Sequence, residues 1–357
     1  MHKRVVVCMS GGVDSTIAAL LLKEAGHEVS GLTFWFWTFP GAPDYAGRTK
    51  CCSLDEASHA AFELGIPHET IDASDAFHDL VLRDFVAGYR GGTTPNPCGR
   101  CNRFLRFGRA LEHARENGFD AVATGHHVNV NRTDDGAFEL RRGADPNKDQ
   151  SYFLYGLGQD DLARLLFPVG AMTKEDVVEI ARSHGLTCAE LPESQDLCFA
   201  FDGDTSFLFD ECDLASGPIL DLEGRELGRH NGLPNYTIGQ RRGLGVSSDL
   251  PLYVVEIDRA RNALVVGSED ALIRSDLTAV GANYIAGTPP EDAARVDAKI
   301  RYRSPACSAS FAPLPDDRFR LRFDQPQRAI TPGQIAAVYR GDLLLGGGTI
   351  ARFSGNG

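Results

Sequence analysis

Residues 8–26, CMSGGVDSTIAALLLKEAG, constrain the fold more than any other stretch of the chain. The β-branched run RVVVC leads into them, two adjacent glycines turn the backbone, and TIAALLLKEAG continues with helical periodicity. A strand, a tight turn and a helix in immediate succession belong to a parallel α/β sheet. In SGGVDS, Gly11 and Gly12 let the backbone expose N–H groups, and Ser10 and Ser15 add hydroxyl donors at a helix N-terminus whose dipole attracts anions. Phosphate is the natural guest. The loop lacks the GK[ST] ending of a Walker motif and the GxGxxG of dinucleotide folds. Asp14 would repel a bare phosphate, so its place beside the cradle fits a phosphate accompanied by Mg²⁺ or by a charge relay.

The chain has 357 residues, enough for two or three domains. Up to about residue 190, strand-like runs (EVSGLTFWF, PHETIDA, DAVATGHH) alternate with helix-period segments (SLDEASHAAFELG, FHDLVLRDFVAGYR, RFLRFGRALEHARENG, QDDLARLLF, KEDVVEIARSHG). Beyond about residue 205, pieces such as LYVVEID, ALVVG, VDAKIRY, FRLRF, IAAVYR and LLLGGGTI stand between Pro, Gly and Asp turns, which predicts small antiparallel β domains. The TPPEDA stretch at 288–293 reads as a linker. No run reaches the ~18 apolar residues of a membrane helix, and the opening MHKRVVVC fits neither a signal nor a transit peptide, so a cytoplasmic protein with no membrane association is expected. Nine cysteines in a reducing compartment favour metal or redox chemistry where they cluster. A formal charge of −13 speaks against a generic polyanion binder, while a local basic surface remains compatible with RNA.

The segment TTPNPCGRCNRFLRFGRA, residues 93–110, stiffened by Pro95 and Pro97, delivers Cys98 and Cys101 to the start of a helix. A helix start with Arg100 and Arg103 nearby favours the reactive thiolate. No second CxxC or HxxxH lies at finger spacing to complete a structural zinc site. Arg100, Arg103, Arg106 and Arg109 recur every three residues and form a drifting basic stripe, with Arg241, Arg242, Arg301 and Arg303 as further clusters. His126 follows Gly125 at a strand end, a position suited to ligand contact, whereas His127 reads equally as a packed side chain. Cys8, Cys188, Cys212 and Cys307 are read as packing residues, and Cys51 and Cys52 stay open between redox and incidental roles.

SGGVDS after a first strand resembles the pyrophosphate-binding loop of the ATP pyrophosphatase (PP-loop) family. The order PNPCGRCN, ATGHH, DPNKDQSYFL, SQDLCF, YTIGQRRGLG and ITPGQIAAVYRGDLLLGGGTI resembles, nearly end to end, the tRNA-specific 2-thiouridylases. That resemblance implies an α/β fold with a parallel-sheet PP-loop domain over 1–204, a small β-rich tRNA-contacting domain over 205–274 and a β-barrel over 275–357. It implies ATP as cofactor, with Mg²⁺, held by Cys8, Met9, Ser10, Gly11, Gly12, Val13, Asp14 and Ser15, with Phe34 and Gly125 lining the adenine pocket. Asp14 and Cys101 would be catalytic, Cys198 would carry persulfide sulfur handed on by a sulfur-donor protein, and hydrosulfide would be the source only where an open iron carries the sulfur. Contacts to the anticodon arm of tRNA would come from Asn96, Pro97, Cys98, His126, Lys148, Asp149, Gln150, Arg301, Tyr302 and Gln334. The chain departs from the common pattern where Cys98 replaces an aspartate, His127 a tyrosine, FWFWTF a Met-Lys-Asn-Trp segment and LPESQDLCF a lysine-rich version. Cys98, Cys101 and Cys198 could therefore ligate a 4Fe–4S cluster with one open iron, and ligand count leans that way over a metal-free persulfide cycle. Two other classes stand beside this reading: a PP-loop ligase or amidotransferase acting on a small carboxylate, and a non-catalytic tRNA-binding protein.

Overall fold

The computed structural model describes residues 2–36, 54–192, 197–200 and 204–353. The N-terminal part is built on strands β1 (Arg4–Cys8), β2 (Glu28–Trp35), β3 (His68–Asp72), β4 (Ala121–Thr124) and β7 (Leu165–Leu166). They run parallel in the order β3-β2-β1-β4-β7. Val5, Val6 and Val7 are consecutive and all buried, as a strand covered on both faces requires. Helix α1 (Val13–Glu24) and helix α2 (Leu54–Leu64) cover one face through Ile17, Ala18, Ala57 and Ala61. Chain order reverses between β1 and β4, and a parallel sheet opens a ligand crevice at the C-terminal ends of such a pair. The loop after β1 and the segment after β4 therefore face each other.

The segment FHDLVLRDFVAGYR is helical, in three turns of differing winding: Ser74–Phe77, a π segment His78–Leu82, and Arg83–Arg90. The second helical run likewise passes from Pro97–Arg100 through a π segment, Cys101–Phe107, into Gly108–Glu116. QDDLARLLF departs from its expectation. One helical turn, Gln159–Leu162, is followed by edge strand β7 rather than by more helix.

Strands β5 (Val128–Arg132) and β6 (Phe138–Arg142) form a hairpin that the sequence reading did not anticipate. The central sheet contains β8 (Gly217–Leu220), β9 (Glu226–His230), β10 (Tyr253–Asp258) and β11 (Ala263–Gly267) in the order β10-β11-β8-β9. It is mixed rather than purely antiparallel, because β11 pairs parallel with β8. The last six strands are β12 (Ile273–Tyr284), β13 (Ala294–Lys299), β14 (Cys307–Leu314), β15 (Arg318–Arg328), β16 (Ile335–Arg340) and β17 (Leu343–Ile350). Pairing of β12 with β17 closes them into a barrel around Phe311, Phe319 and Leu321. The TPPEDA stretch joins β12 to β13 inside this one sheet, so it is a barrel connection and not a linker between domains.

The hairpin bolts the barrel to the α/β part. Strand β6 pairs with β17 (Leu343 opposite Arg141, Leu344 opposite Leu140), so the barrel sheet continues into chain from the N-terminal half. Beside this seam the Tyr152 hydroxyl donates to the Ile335 carbonyl at 3.0 Å, Ser151 and Tyr339 share a hydrogen bond of 3.1 Å, and Asn283 donates to the carbonyls of Tyr155 and Leu157. One apolar cluster runs unbroken from Val6 and Leu32 of the parallel sheet to Ile335, Tyr339 and Leu344 of the barrel.

Gly170 sets the foot of the hairpin: a Cβ there would lie 1.7 Å from the Val128 carbonyl oxygen. Backbone cannot yield as a flexible side chain does, so Gly170→Ala should lower unfolding stability by at least about 2 kcal/mol. Denaturant titration of the two proteins measures it, and equal midpoints would refute the tight fit.

Candidate active site

The loop after β1 is wedged between two elements. Gly11 has φ +83°, and a Cβ on it would lie 2.5 Å from Cβ of Glu56 at the start of α2. A Cβ on Gly125, just beyond β4, would lie 2.5 Å from both the Asp14 carbonyl carbon and the Ser15 nitrogen. Glycine is required at both places by close approach, and at Gly11 by backbone conformation as well. The hydroxyls brace the turn: Ser15 Oγ accepts from the Ser10 N–H at 3.2 Å and donates to the Gly12 carbonyl at 3.0 Å. Gly12 is the N-cap of α1, so the first N–H groups of a twelve-residue helix open at this loop. Met9 and Val13 turn inward to the core, while Ser10, Gly12 and Asp14 are only partly buried.

Asp14 does not stand alone. Lys174 Nζ donates to its Oδ1 at 2.6 Å, and His127 Nε2 lies 3.2 Å from the same oxygen. A carboxylate only accepts, so Nε2 carries the proton, and Nδ1 of the buried His127 is then left without a partner among the described residues. Burial alone would raise the Asp14 carboxyl; the His127 hydrogen bond and the charge and hydrogen bond of Lys174 outweigh it and hold the group below the ordinary carboxylate range. Lys174 is the first residue of the helix Lys174–Ser183, which Thr173 and Asp176 cap reciprocally. Its backbone N–H donates to Asp145 at 3.1 Å, and the backbone N–H of His127 donates to Gln150 Oε1 at 3.0 Å. The DPNKDQ turn is thereby tied to both partners of Asp14. The sequence reading missed Lys174 and left His127 undecided; the Thr-x-x-Asp cap was the one local sign that Lys174 begins a helix, and nothing local aims it at residue 14.

The thiols lie on the other flank. Asn96, expected to touch RNA, is the N-cap of Pro97–Arg100, its side chain accepting from the Gly99 N–H at 3.4 Å. Cys98 sits in that first turn, and Cys101 opens the π segment. Cys8, at the strand end, Cys101, in the helical segment, and Cys198, from far along the chain, all pack against the same apolar cluster. Burial pushes the Cys8 thiol up to about 12, with the charge of Arg106 opposing in part. Among the described residues no group of three or more His, Cys, Asp or Glu side chains is placed to hold a metal. Cys98, Cys101 and Cys198 are thus not gathered into such a group in this structure.

Other expected residues are placed differently. Phe34 is buried near the end of β2 and stacks on Phe36 at 6.2 Å, so its ring belongs to the core. His126 is buried, bonded to Thr124 Oγ1 at 2.8 Å and set 5.4 Å from Phe107. Asp149 accepts from the N–H groups of Gly143 and Ser151, while its Oδ2 is buried without a hydrogen-bond partner and Arg142 stands 3.6 Å away. Lys148 lies in the same turn, its N–H on the Asp145 carbonyl. Gln334 clamps the Thr94 carbonyl at 2.8 Å, and the Arg301 guanidinium bonds the Ala329 carbonyl, so both serve the architecture. Tyr302 leans on Phe153, ring centres 4.5 Å apart. The basic stripe is largely engaged: Arg100 with Asp84 at 3.3 Å, Arg109 with Glu112 at 3.0 Å, and Arg106 beside Cys8. Cys188 is buried as expected, but Cys212 is exposed and not a packing residue. Cys51 and Cys52 lie outside the described residues.

Lys174→Met tests the Asp14 arrangement. With its depressed value, Asp14 adds stability that is complete above the unfolded pKa near 4 and is lost only as pH falls through the lower folded value. Without Lys174, its charge and hydrogen bond no longer lower the carboxyl and the folded value rises, so acid unfolding of the variant should begin at higher pH. The loss at pH 7 should be about 1 kcal/mol, since the Asp14 side chain is 35% exposed and screened. Superimposable acid-unfolding curves would contradict the pairing.

Three family models cover the chain: a tRNA methyl transferase HUP domain over residues 3–202, a tRNA methyl transferase PRC-barrel domain over 205–268, and an aminomethyltransferase β-barrel domain over 274–350. Curated relatives align over nearly the whole length. The tRNA-specific 2-thiouridylase MnmA of Roseiflexus castenholzii is 45% identical over 98% of this chain and 99% of its own. That of Chloroflexus aurantiacus is 46% identical over 98% of each, and that of Moorella thermoacetica 47% over 97% and 98%. The phosphate-type loop, the facing thiols and the barrel joined to both thus occur in a chain that belongs to the tRNA-specific 2-thiouridylase family.

Proposed function

We propose that this protein is a tRNA-uridine 2-sulfurtransferase that activates the C2 oxygen of the wobble uridine with ATP and replaces it with sulfur carried on Cys198. The observation that supports this reading is that Cys8, at the strand end that leads into the SGGVDS loop, packs on the same apolar cluster as Cys101 and Cys198, in a chain of this family. Ser10 to Ser15 cradle the nucleotide phosphates, Gly125 lets the loop close on β4, and the backbone at Phe34 borders the adenine. Mg²⁺ is assigned to the nucleotide's phosphates rather than to a protein site. Asp149 Oδ2, Gln150 and Lys148 in the DPNKDQ turn, with His126 and Tyr302, border the place for the uridine.

The uridine oxygen attacks the α-phosphorus, pyrophosphate leaves, and C2 then bears a good leaving group. The terminal sulfur of a Cys198 persulfide adds to C2, and AMP departs with the oxygen. Cys101 attacks the Cys198 sulfur, releasing 2-thiouridine and leaving a Cys101–Cys198 disulfide that an external thiol reduces. The C2 position of a paired base is closed to such attack, so the substrate is an unpaired loop base, and the barrel and central domain hold the arm that presents it. A cytoplasmic location accords with this chemistry and with the absence, among the described residues, of a helix long and apolar enough to cross a membrane.

Cys101→Ser separates the readings. Thiolation should vanish while affinity for the anticodon stem-loop stays within about twofold, well inside the 1.4 kcal/mol of a tenfold change; retained thiolation would remove Cys101 from the reaction. ATP-to-AMP turnover on a small acid without RNA would favour a ligase instead. Anaerobically purified protein should be fully active without iron, and activity proportional to bound iron would overturn the persulfide route.

A further inference from the structure

We propose that Phe104, flanked by Arg103 and Arg100, is a stacking platform for an unpaired nucleobase adjacent to the uridine that reacts. The proposal rests on the RNA reading above. Phe104 belongs to the same π segment as Cys101, three residues on, and unlike Leu105 and Phe107, which are fully buried, 37% of it is exposed. A singly exposed ring calls for no partner by itself; the place of this one, three residues from Cys101, and the charges around it are what point to one.

Its neighbours specify the partner's chemistry. The guanidinium carbon of Arg100 lies 5.2 Å from the ring centre and that of Arg103 5.1 Å. Arg100 is fixed by the Leu80 carbonyl at 3.0 Å and by Asp84 at 3.3 Å. The stem of Arg103 is held against Gly156, where a Cβ would come within 2.8 Å of Arg103 Cδ, and among the described residues no carboxylate pairs with its guanidinium. An exposed ring with two guanidiniums over it, one of them without a carboxylate partner among the described residues, forms a flat cationic layer that suits a ligand flat and anionic at once. A nucleotide within a single strand has that character: its base stacks on the ring and its phosphate meets Arg103. The reacting base must go inward toward Cys101 and the apolar cluster, so the base on the exposed Phe104 is a neighbour of it in the loop.

The test uses the full-length protein and an anticodon stem-loop RNA carrying 2-aminopurine in place of each nucleotide flanking the wobble uridine in turn. Wild-type protein should change the fluorescence at one of these positions, and Phe104→Ala should abolish that change and weaken binding by about 5- to 100-fold. Phe104→Trp should restore affinity, with RNA quenching the new emission. Wild-type affinity and an unchanged 2-aminopurine response in Phe104→Ala, or a Phe104→Trp emission indifferent to RNA, would overturn the platform while leaving thiolation intact. Failure of the wild-type protein to bind the RNA would overturn both the platform and the reading beneath it.

Discussion

The pairing of β6 with β17 is the constraint on which the rest of the molecule depends. It makes a hairpin from the N-terminal half an extension of the C-terminal barrel, and the chain leaving that hairpin is the DPNKDQ turn. The turn in its own right is held to the site by Asp145, which accepts from Lys174, and by Gln150, which accepts from His127. Lys174 and His127 are the two partners of Asp14. An unbroken series of backbone and buried hydrogen bonds thus runs from the barrel wall to the phosphate-type loop. Such groups are costly to leave unmade, so the barrel and the loop are fixed in relation to each other by the same bonds that hold each together.

The series also resolves the electrostatic difficulty posed by the loop. A carboxylate beside a phosphate cradle would repel its guest, and the chain as a whole is acidic. Lys174 neutralises Asp14 in place, and His127 adds a donor to the same oxygen, so the N–H groups at the start of α1 meet an incoming anion without an opposing charge. Lys174 and His127 thus compensate the charge of Asp14 from within the protein. Local charge at a binding crevice is set by pairs of this kind and is poorly reported by net charge.

What could be read from the sequence was what local chain geometry determines. The β1 turn, its glycines, α1 and the Pro97-led helix that bears Cys98 and Cys101 are each specified within about twenty consecutive residues, and all are found. Gly125 was identified by motif, and its physical reason, contact with the backbone of Asp14 and Ser15, became visible only in three dimensions. Lys174 is 160 residues from Asp14, and VNVNR and FELRR carry no mark that their partner is β17, so both were illegible. Phe34 was misleading for a related reason: an aromatic residue at a strand end suits a base as well as a core, and packing against Phe36 decided for the core. The π segments leave little trace in composition, since the extra residue in a turn alters winding and not hydrophobicity.

The thiols show how one apolar environment can assign different duties to the same side chain. Cys8 lies at the end of β1, where burial raises its thiol to about 12, so at neutral pH it is protonated and inert despite its place in the loop. It can pack against the nucleotide's surroundings without competing for sulfur. Cys101 begins a segment of helix and Cys198 arrives from a separate stretch of chain, both against the same cluster as Cys8 but neither in the sheet. Sulfur transfer needs one thiol that can bear sulfur and another that can approach it. The end of β1 offers only a protonated thiol held in the sheet, whereas Cys101 and Cys198 stand outside the sheet on separately connected stretches of chain.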